Sequence, residues 1–164
     1  MVNVRRTPVL PAAVTWTIRG IPGKGRQRSS MLTYREAELT SEPATICIID
    51  DDPVILKTMG RILEARGHRV SLFHAGTSAA VDIPDIGPDC VITDINMVGL
   101  DGLALIRDLR KHDQMKNTKF AVVSANTDDN TKLSAESIGV GLFIEKPFEL
   151  ESFIEKVEAF LLDA

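Results

Sequence analysis

From residue 44 onward the chain alternates short apolar runs with stretches of helical period, and this alternation restricts the fold more than any other feature. Strands are predicted over residues 45–49, 69–73, 90–93, 120–124 and 142–144. Between them, "PVILKTMGRILEARG" places Ile55, Met59, Ile62 and Leu63 on one helical face and stops at Gly67. "GLALIRDLRKH" and "DDNTKLSAESIG" behave alike, the second closing at Gly139, and "LESFIEKVEAFLLDA" forms a fifth helix. The weakest helical pattern lies around "TSAAVDI". Short apolar strands alternating with helices imply a parallel sheet covered on both faces, an α/β doubly wound fold of five strands and five helices.

In sheets of this kind the functional crevice lies beyond the carboxyl ends of the strands. The residues that end the predicted strands are Asp50 and Asp51, then Asp94, Ser124, and finally Glu145 with Lys146. The first case is the sharpest: "ATICIIDDDPVILKTM" runs from a buried strand straight into three aspartates. A carboxylate beside an apolar core is costly unless a positive charge accompanies it. Asp52, just before Pro53, is suited to cap the helix that follows. Capping accounts for one of the three aspartates, or two; the third requires a cation, a lysine or a chemical role. Asp50, Asp51 and Asp94 together make a hard oxygen site suited to Mg²⁺, which takes few protein ligands and keeps positions open for water and phosphate. Lys146 can pair with a carboxylate at rest and with a phosphoryl oxygen during reaction, and the Ser124 hydroxyl can donate to the same oxygen. Metal, lysine and hydroxyl around an aspartate are what phosphoryl transfer requires. The aspartate can itself be the nucleophile, giving an acyl phosphate. Asp94 taken alone reads equally well as a strand-end cap; its neighbours make it a site.

Charge divides the chain. Residues 1 to 43 hold seven Lys/Arg against three Asp/Glu, whereas residues 44 to 164 hold twelve against twenty. The acidic part is poorly suited to nonspecific DNA binding, which depends on neutralising phosphates. The first 43 residues carry Pro8, Pro11, Pro22 and Pro43, with Gly20, Gly23 and Gly25, and show no sustained period. They are expected to be a disordered basic extension, with Trp16 and Tyr34 offering no stacking platform. Cys47 and Cys90 fall inside apolar runs and read as buried free thiols, which suits a reducing cytoplasm. No apolar run approaches the length of a membrane span.

Four segments, "IIDDDP", "DCVITDINMVGLDG", "AVVSAN" and "FIEKPF", stand in order along residues 44 to 164 and together resemble the receiver domains of two-component response regulators. The resemblance implies a flavodoxin-like sheet of strand order 2-1-3-4-5. It implies Asp94 as phosphoacceptor, Asp51 as a direct Mg²⁺ ligand, Asp50 acting through the metal's outer shell, and the backbone carbonyl of Asn96 as a further ligand. Ser124 and Lys146 would hold the phosphoryl group, Lys146–Pro147 would be cis, and Ser124 with Phe143 would form the switch. The donor would be a sensor histidine kinase or a histidine phosphotransfer protein, and the output a downstream protein target. Neither nucleic acid nor membrane is expected as a partner. The domain would take part in its own phosphotransfer and autodephosphorylation without being an enzyme in the ordinary sense. Because the chain ends with the fifth helix, a single-domain, cytoplasmic regulator is expected. Val98 departs from the pattern, standing where the family usually has proline, and is expected to loosen the loop after Asp94.

Two other readings use some of the same residues. A haloacid-dehalogenase-like phosphatase also ends its first strand in Asp-x-Asp, which Asp50 and Asp52 supply, but it needs a further acidic pair after its lysine and leaves Asp94 without a role. A receiver-like docking module that is never phosphorylated is the third reading, and nothing favours it while every reactive position is filled.

Overall fold

The computed structural model describes residues 42–163. The basic extension, with Trp16 and Tyr34, lies almost wholly outside the described residues. Five parallel strands form one sheet: β1 (Thr45–Ile49), β2 (Arg69–Phe73), β3 (Cys90–Thr93), β4 (Lys119–Ser124) and β5 (Leu142–Glu145), in the order β2-β1-β3-β4-β5. Five helices connect and follow them: α1 (Pro53–Ala65), α2 (Gly76–Ile86), α3 (Gly102–Leu109), α4 (Asp129–Ser137) and α5 (Leu150–Leu162). The expected doubly wound architecture is the one observed.

The period of two along each strand divides the core into two layers. Ile46, Ile48, Cys90, Ile92, Ala121, Val123 and Ile144 face Leu56, Met59 and Leu63 of α1 and Phe153 and Val157 of α5. Cys47, Ile49, Val91, Phe120 and Val122 face the other side, against α2, α3 and Ala135 of α4. Because both faces are covered, the strands read as continuous apolar runs. Each fully buried Ile, Leu or Phe contributes about 1.5–3 kcal/mol relative to exposure.

Local signals explain the helix ends. Asp52 is the N-cap of α1, its carboxylate accepting from the amides of Val54 at 2.8 Å and Ile55 at 3.2 Å, with Pro53 opening the helix. The buried stripe of α1 is Leu56, Met59, Gly60 and Leu63, so it is turned slightly from the predicted face, with Ile55 and Ile62 at its half-buried margin. Helix α2 is the irregular one, for its N-cap Ala75 makes no side-chain cap and Pro84 interrupts its last turn. The same two features weaken the helical pattern of this segment in the sequence. Among the described residues, no helix is long and apolar enough to cross a membrane.

The segment after β3 is regular structure that no periodicity in the sequence announces. Asn96–Met97 and Leu100–Asp101 form a two-residue antiparallel ladder, pairing Asn96 with Asp101 and Met97 with Leu100. Val98 and Gly99 make its turn, and Gly99, at φ 85°, takes the left-handed conformation that a side chain would resist.

Candidate functional site

The β1, β3, β4 and β5 ends converge at one edge of the sheet. β1 delivers Asp50, whose amide donates to the Phe73 carbonyl at 3.2 Å, and β3 delivers Asp94, whose amide donates to the Ile49 carbonyl at 3.0 Å. These bonds continue the ladders by one residue and fix both carboxylates relative to the sheet. Lys146, the first residue beyond β5, reaches back across it. Its ammonium donates to Asp50 Oδ2 at 2.7 Å and to Asp94 Oδ2 at 2.6 Å. All three side chains are nearly enclosed, at 0% exposure for Asp50, 10% for Asp94 and 12% for Lys146. The Lys146–Pro147 peptide is cis, as the resemblance implied.

The electrostatics follow from this enclosure. Burial raises the Asp50 carboxyl above its ordinary value, outweighing the hydrogen bonds from Lys146 and the Asp52 amide that favour its ionised form. Burial would also lower the Lys146 ammonium, but hydrogen bonds to Asp50 and Asp94 overcome it and hold Lys146 above its ordinary value. Lys146 is therefore a fixed positive charge between two acids.

Asp51 completes a cluster in which oxygens of Asp50, Asp51 and Asp94 all lie within 4.8 Å of one another. Three carboxylates and one ammonium carry a formal excess of two negative charges. An all-oxygen donor set with that excess fits a hard divalent cation of the Mg²⁺ class. The Asp52 carboxylate takes no part, being committed to the α1 cap, and Asp52 touches the cluster only through its amide, which donates to Asp50 Oδ1 at 2.9 Å.

The other predicted residues fall around this centre. Ser124 is fully buried at the end of β4, its Oγ accepting the Asn126 amide at 3.1 Å and its carbonyl accepting the Lys146 amide at 2.9 Å. Its hydroxyl oxygen is thus engaged by the loop before α4. Phe143 is half-buried on β5 against the α2–α3–α4 layer, with the Lys132 ammonium of α4 5.9 Å from its ring centroid. Asn96 donates its amide to Asp94 Oδ1 at 3.1 Å.

Two contributions to the site escaped the sequence reading. Gly102 lies so close to the acceptor loop that a Cβ there would fall 1.9 Å from the Asp94 carbonyl oxygen, and its amide donates to the Ile95 carbonyl at 2.9 Å. A glycine directly after an N-capping Asp101 was the available signal. The second is the Val98 amide, which donates to Asp51 Oδ2 at 3.0 Å. The N–H that a proline at position 98 would lack thus bonds the acidic cluster.

A doubly wound sheet carrying a lysine-bridged carboxylate cluster at its strand ends defines a class of α/β domain whose ligand site lies beyond the carboxyl ends of the strands. Residues 46–158 match the family model described as the response regulator receiver domain, and the chain belongs to that family. NisR, the nisin biosynthesis regulatory protein of Lactococcus lactis, is 35% identical over 115 residues, covering 70% of this chain and 48% of NisR. YkoG of Bacillus subtilis, named an uncharacterized transcriptional regulatory protein, is 30% identical over 120 residues, covering 73% of this chain and 52% of YkoG. The chain thus spans about half the length of these curated relatives. Among solved structures, the Vibrio cholerae chemotaxis protein CheY4 superposes with a TM-score of 0.69 at 22% identity, covering 73% of this chain and 99% of CheY4. The non-phosphorylated receiver domain of HemR from Leptospira biflexa gives 0.69 at 24% identity, covering 75% and 97%. At these identities the two structures speak to the fold.

Proposed function

We propose that this receiver accepts a phosphoryl group on Asp94 from a phosphohistidine of a sensor kinase or phosphotransfer protein, and signals by altered contacts with a downstream protein. The observation that carries the reading is the Lys146 ammonium bridging Asp50 and Asp94, beside Asp51, at the carboxyl edge of the sheet. One Asp94 carboxylate oxygen forms the new bond to phosphorus while the bond from phosphorus to the donor's imidazole nitrogen breaks, the electron pair leaving with the imidazole. Lys146, released from Asp94 as its charge moves outward, stays charged and pairs with a phosphoryl oxygen. Ser124 supplies a hydroxyl donor to the same group once it turns from the Asn126 amide.

Asp51 and the Asn96 carbonyl would hold Mg²⁺ directly, with Asp50 acting from its outer shell. When bound, Mg²⁺ supplies positive charge that offsets what develops on the transferred oxygens. Asn96 and Asn126, two residues beyond Asp94 and Ser124, would orient the water that later hydrolyses the acyl phosphate. The acidic balance of residues 44–164 supports a protein, and not a nucleic acid, as the immediate partner of this domain. A reducing cytoplasmic setting is supported by Cys47 and Cys90, both free and buried, with burial pushing each thiol up to about 12.

The test is incubation with phosphoramidate and Mg²⁺ followed by intact mass. The receiver reading predicts one added phosphoryl group, removed by hydroxylamine as an acyl phosphate. Steady turnover of the reagent without a stable adduct would favour a phosphatase, and neither adduct nor turnover would leave a docking module.

A further inference from the structure

We infer that the backbone amide of Val98 is a positioning group for the Asp51 carboxylate, so that the 96–101 hairpin acts as a clasp that holds Asp51 ready for the cation. The inference rests on the reading of Asp51 as a metal ligand. The Val98 side chain is 91% exposed and packs on nothing, so this residue contributes to the site through its N–H alone. The hairpin carrying that N–H is well anchored. Met97 is buried, Leu100 lies against Gly76 at the start of α2, and the Gly102 amide donates to the Ile95 carbonyl. It is also tied to two different acids, through Asn96 N–H to Asp94 Oδ1 and through Val98 N–H to Asp51 Oδ2.

The bond to Val98 is the one side-chain hydrogen bond of Asp51 among the described residues. A carboxylate offers two oxygens and about four lone-pair directions, so an amide on Oδ2 leaves Oδ1 available to a cation. The three aspartates already converge within 4.8 Å with this bond in place. Clasp and cation are therefore compatible, and the clasp removes the rotational freedom that Asp51 would otherwise lose on binding. Partners that orient metal ligands are worth about 10–100-fold in affinity. Because this one is solvent-exposed, the low end, about tenfold, is expected here.

Val98→Pro removes the donor and keeps the turn. Gly99 at φ 85° follows Val98, whose φ is not positive, and a positive φ at the second central position alone suits a type II turn, whose first central position favours proline. Mg²⁺ titration of the full chain, followed by amide shifts around Asp94, should give about tenfold weaker binding for Val98→Pro. Val98→Ala, which keeps the N–H, should retain the wild-type affinity. Equal or tighter binding by Val98→Pro overturns the clasp while leaving the receiver reading intact. No Mg²⁺ binding by the wild type overturns that reading and the clasp with it. Hydrogen exchange of the Val98 amide in the unaltered protein gives a check that needs no variant. Reciprocity requires Mg²⁺ to slow that exchange, and acceleration would show that cation and amide compete, which overturns the inference.

Discussion

Substituting Gly102 by Ala should damage both stability and phosphorylation, although Gly→Ala within a helix ordinarily stabilises by up to about 1 kcal/mol. The added Cβ would meet the Asp94 carbonyl oxygen at 1.9 Å, its carbon at 2.9 Å and Ile95 Cα at 3.0 Å. Even a close carbon–oxygen contact is about 3.3 Å, so helix and acceptor loop must separate by roughly 1.4 Å. Both partners are backbone, hence no side chain can swing aside. Overpacking costs about 1–3 kcal/mol, and displacing a reacting group by about 1 Å costs on the order of 100-fold in rate. Gly102→Ala should therefore unfold at lower urea and load phosphoryl groups from phosphoramidate about 100-fold more slowly. Gly60→Ala in α1 is the matched comparison, since the three atoms nearest its new Cβ all belong to the Leu72 side chain, the closest at 2.9 Å. Leu72 is 39% exposed and can move, so that variant should be neutral or slightly stabilised. If Gly102→Ala is as stable as Gly60→Ala and loads at the wild-type rate, the argument from close backbone approach is wrong.

Asp51→Ala should weaken Mg²⁺ at least tenfold, as loss of a direct ligand does no less than loss of a second-sphere partner; calorimetric titration showing equal affinity would remove Asp51 from the metal role. His68 is buried, its Nδ1 accepting the Ala44 amide at 3.2 Å and its Nε2 without a partner. Burial first, and the Arg66 charge after it, lower its proton affinity in the fold, with Glu158 opposing. The unfolded chain, near the ordinary value of about 6.5, then binds the proton first as pH falls, so this contribution is complete above about 6.5 and is lost toward lower pH. Urea midpoints at pH 7.5 and 5.5 should differ more for wild type than for His68→Asn, and an equal difference would exclude His68 as the source. Ser124→Ala should still load the phosphoryl group but couple it poorly to partner binding, and Phe143→Ala should behave similarly; an unchanged affinity ratio, with and without phosphorylation, in both variants would sink the Ser124–Phe143 switch.

Strands and strand-end chemistry were legible because burial on both faces leaves a continuous apolar run, and the first polar residue after it marks the edge. The β1, β2 and β3 boundaries coincide with those predicted, while β4 begins one residue earlier, at Lys119, and β5 ends one later, at Glu145. Both extra residues are charged, so hydropathy stopped short of them. Lys119 belongs to the strand because its ammonium turns away to accepting carbonyls at the end of α5, at 2.8 Å for Phe160. Asp50, Asp51, Asp94 and Lys146 could be grouped from the sequence since a parallel sheet brings its strand ends together. The hairpin could not be read, because a ladder of two residues a side is too short to show a period. Gly102 and the Val98 amide act through backbone atoms, which the residue letters do not encode. The engagement of the Ser124 hydroxyl with the Asn126 amide was likewise hidden, depending on a rotamer and not on residue type.

The most direct test of Asp94 as the phosphoacceptor is peptide-resolved mass spectrometry after phosphoramidate and Mg²⁺, on wild type and Asp94→Asn. The amide preserves the shape of the side chain but is not a nucleophile. Wild type should gain one hydroxylamine-sensitive phosphoryl group, on the peptide containing Asp94. The Asp94→Asn protein, with an unchanged circular dichroism spectrum, should gain none. Phosphorylation of that variant at the wild-type rate, or a wild-type adduct on any other peptide, would contradict the account.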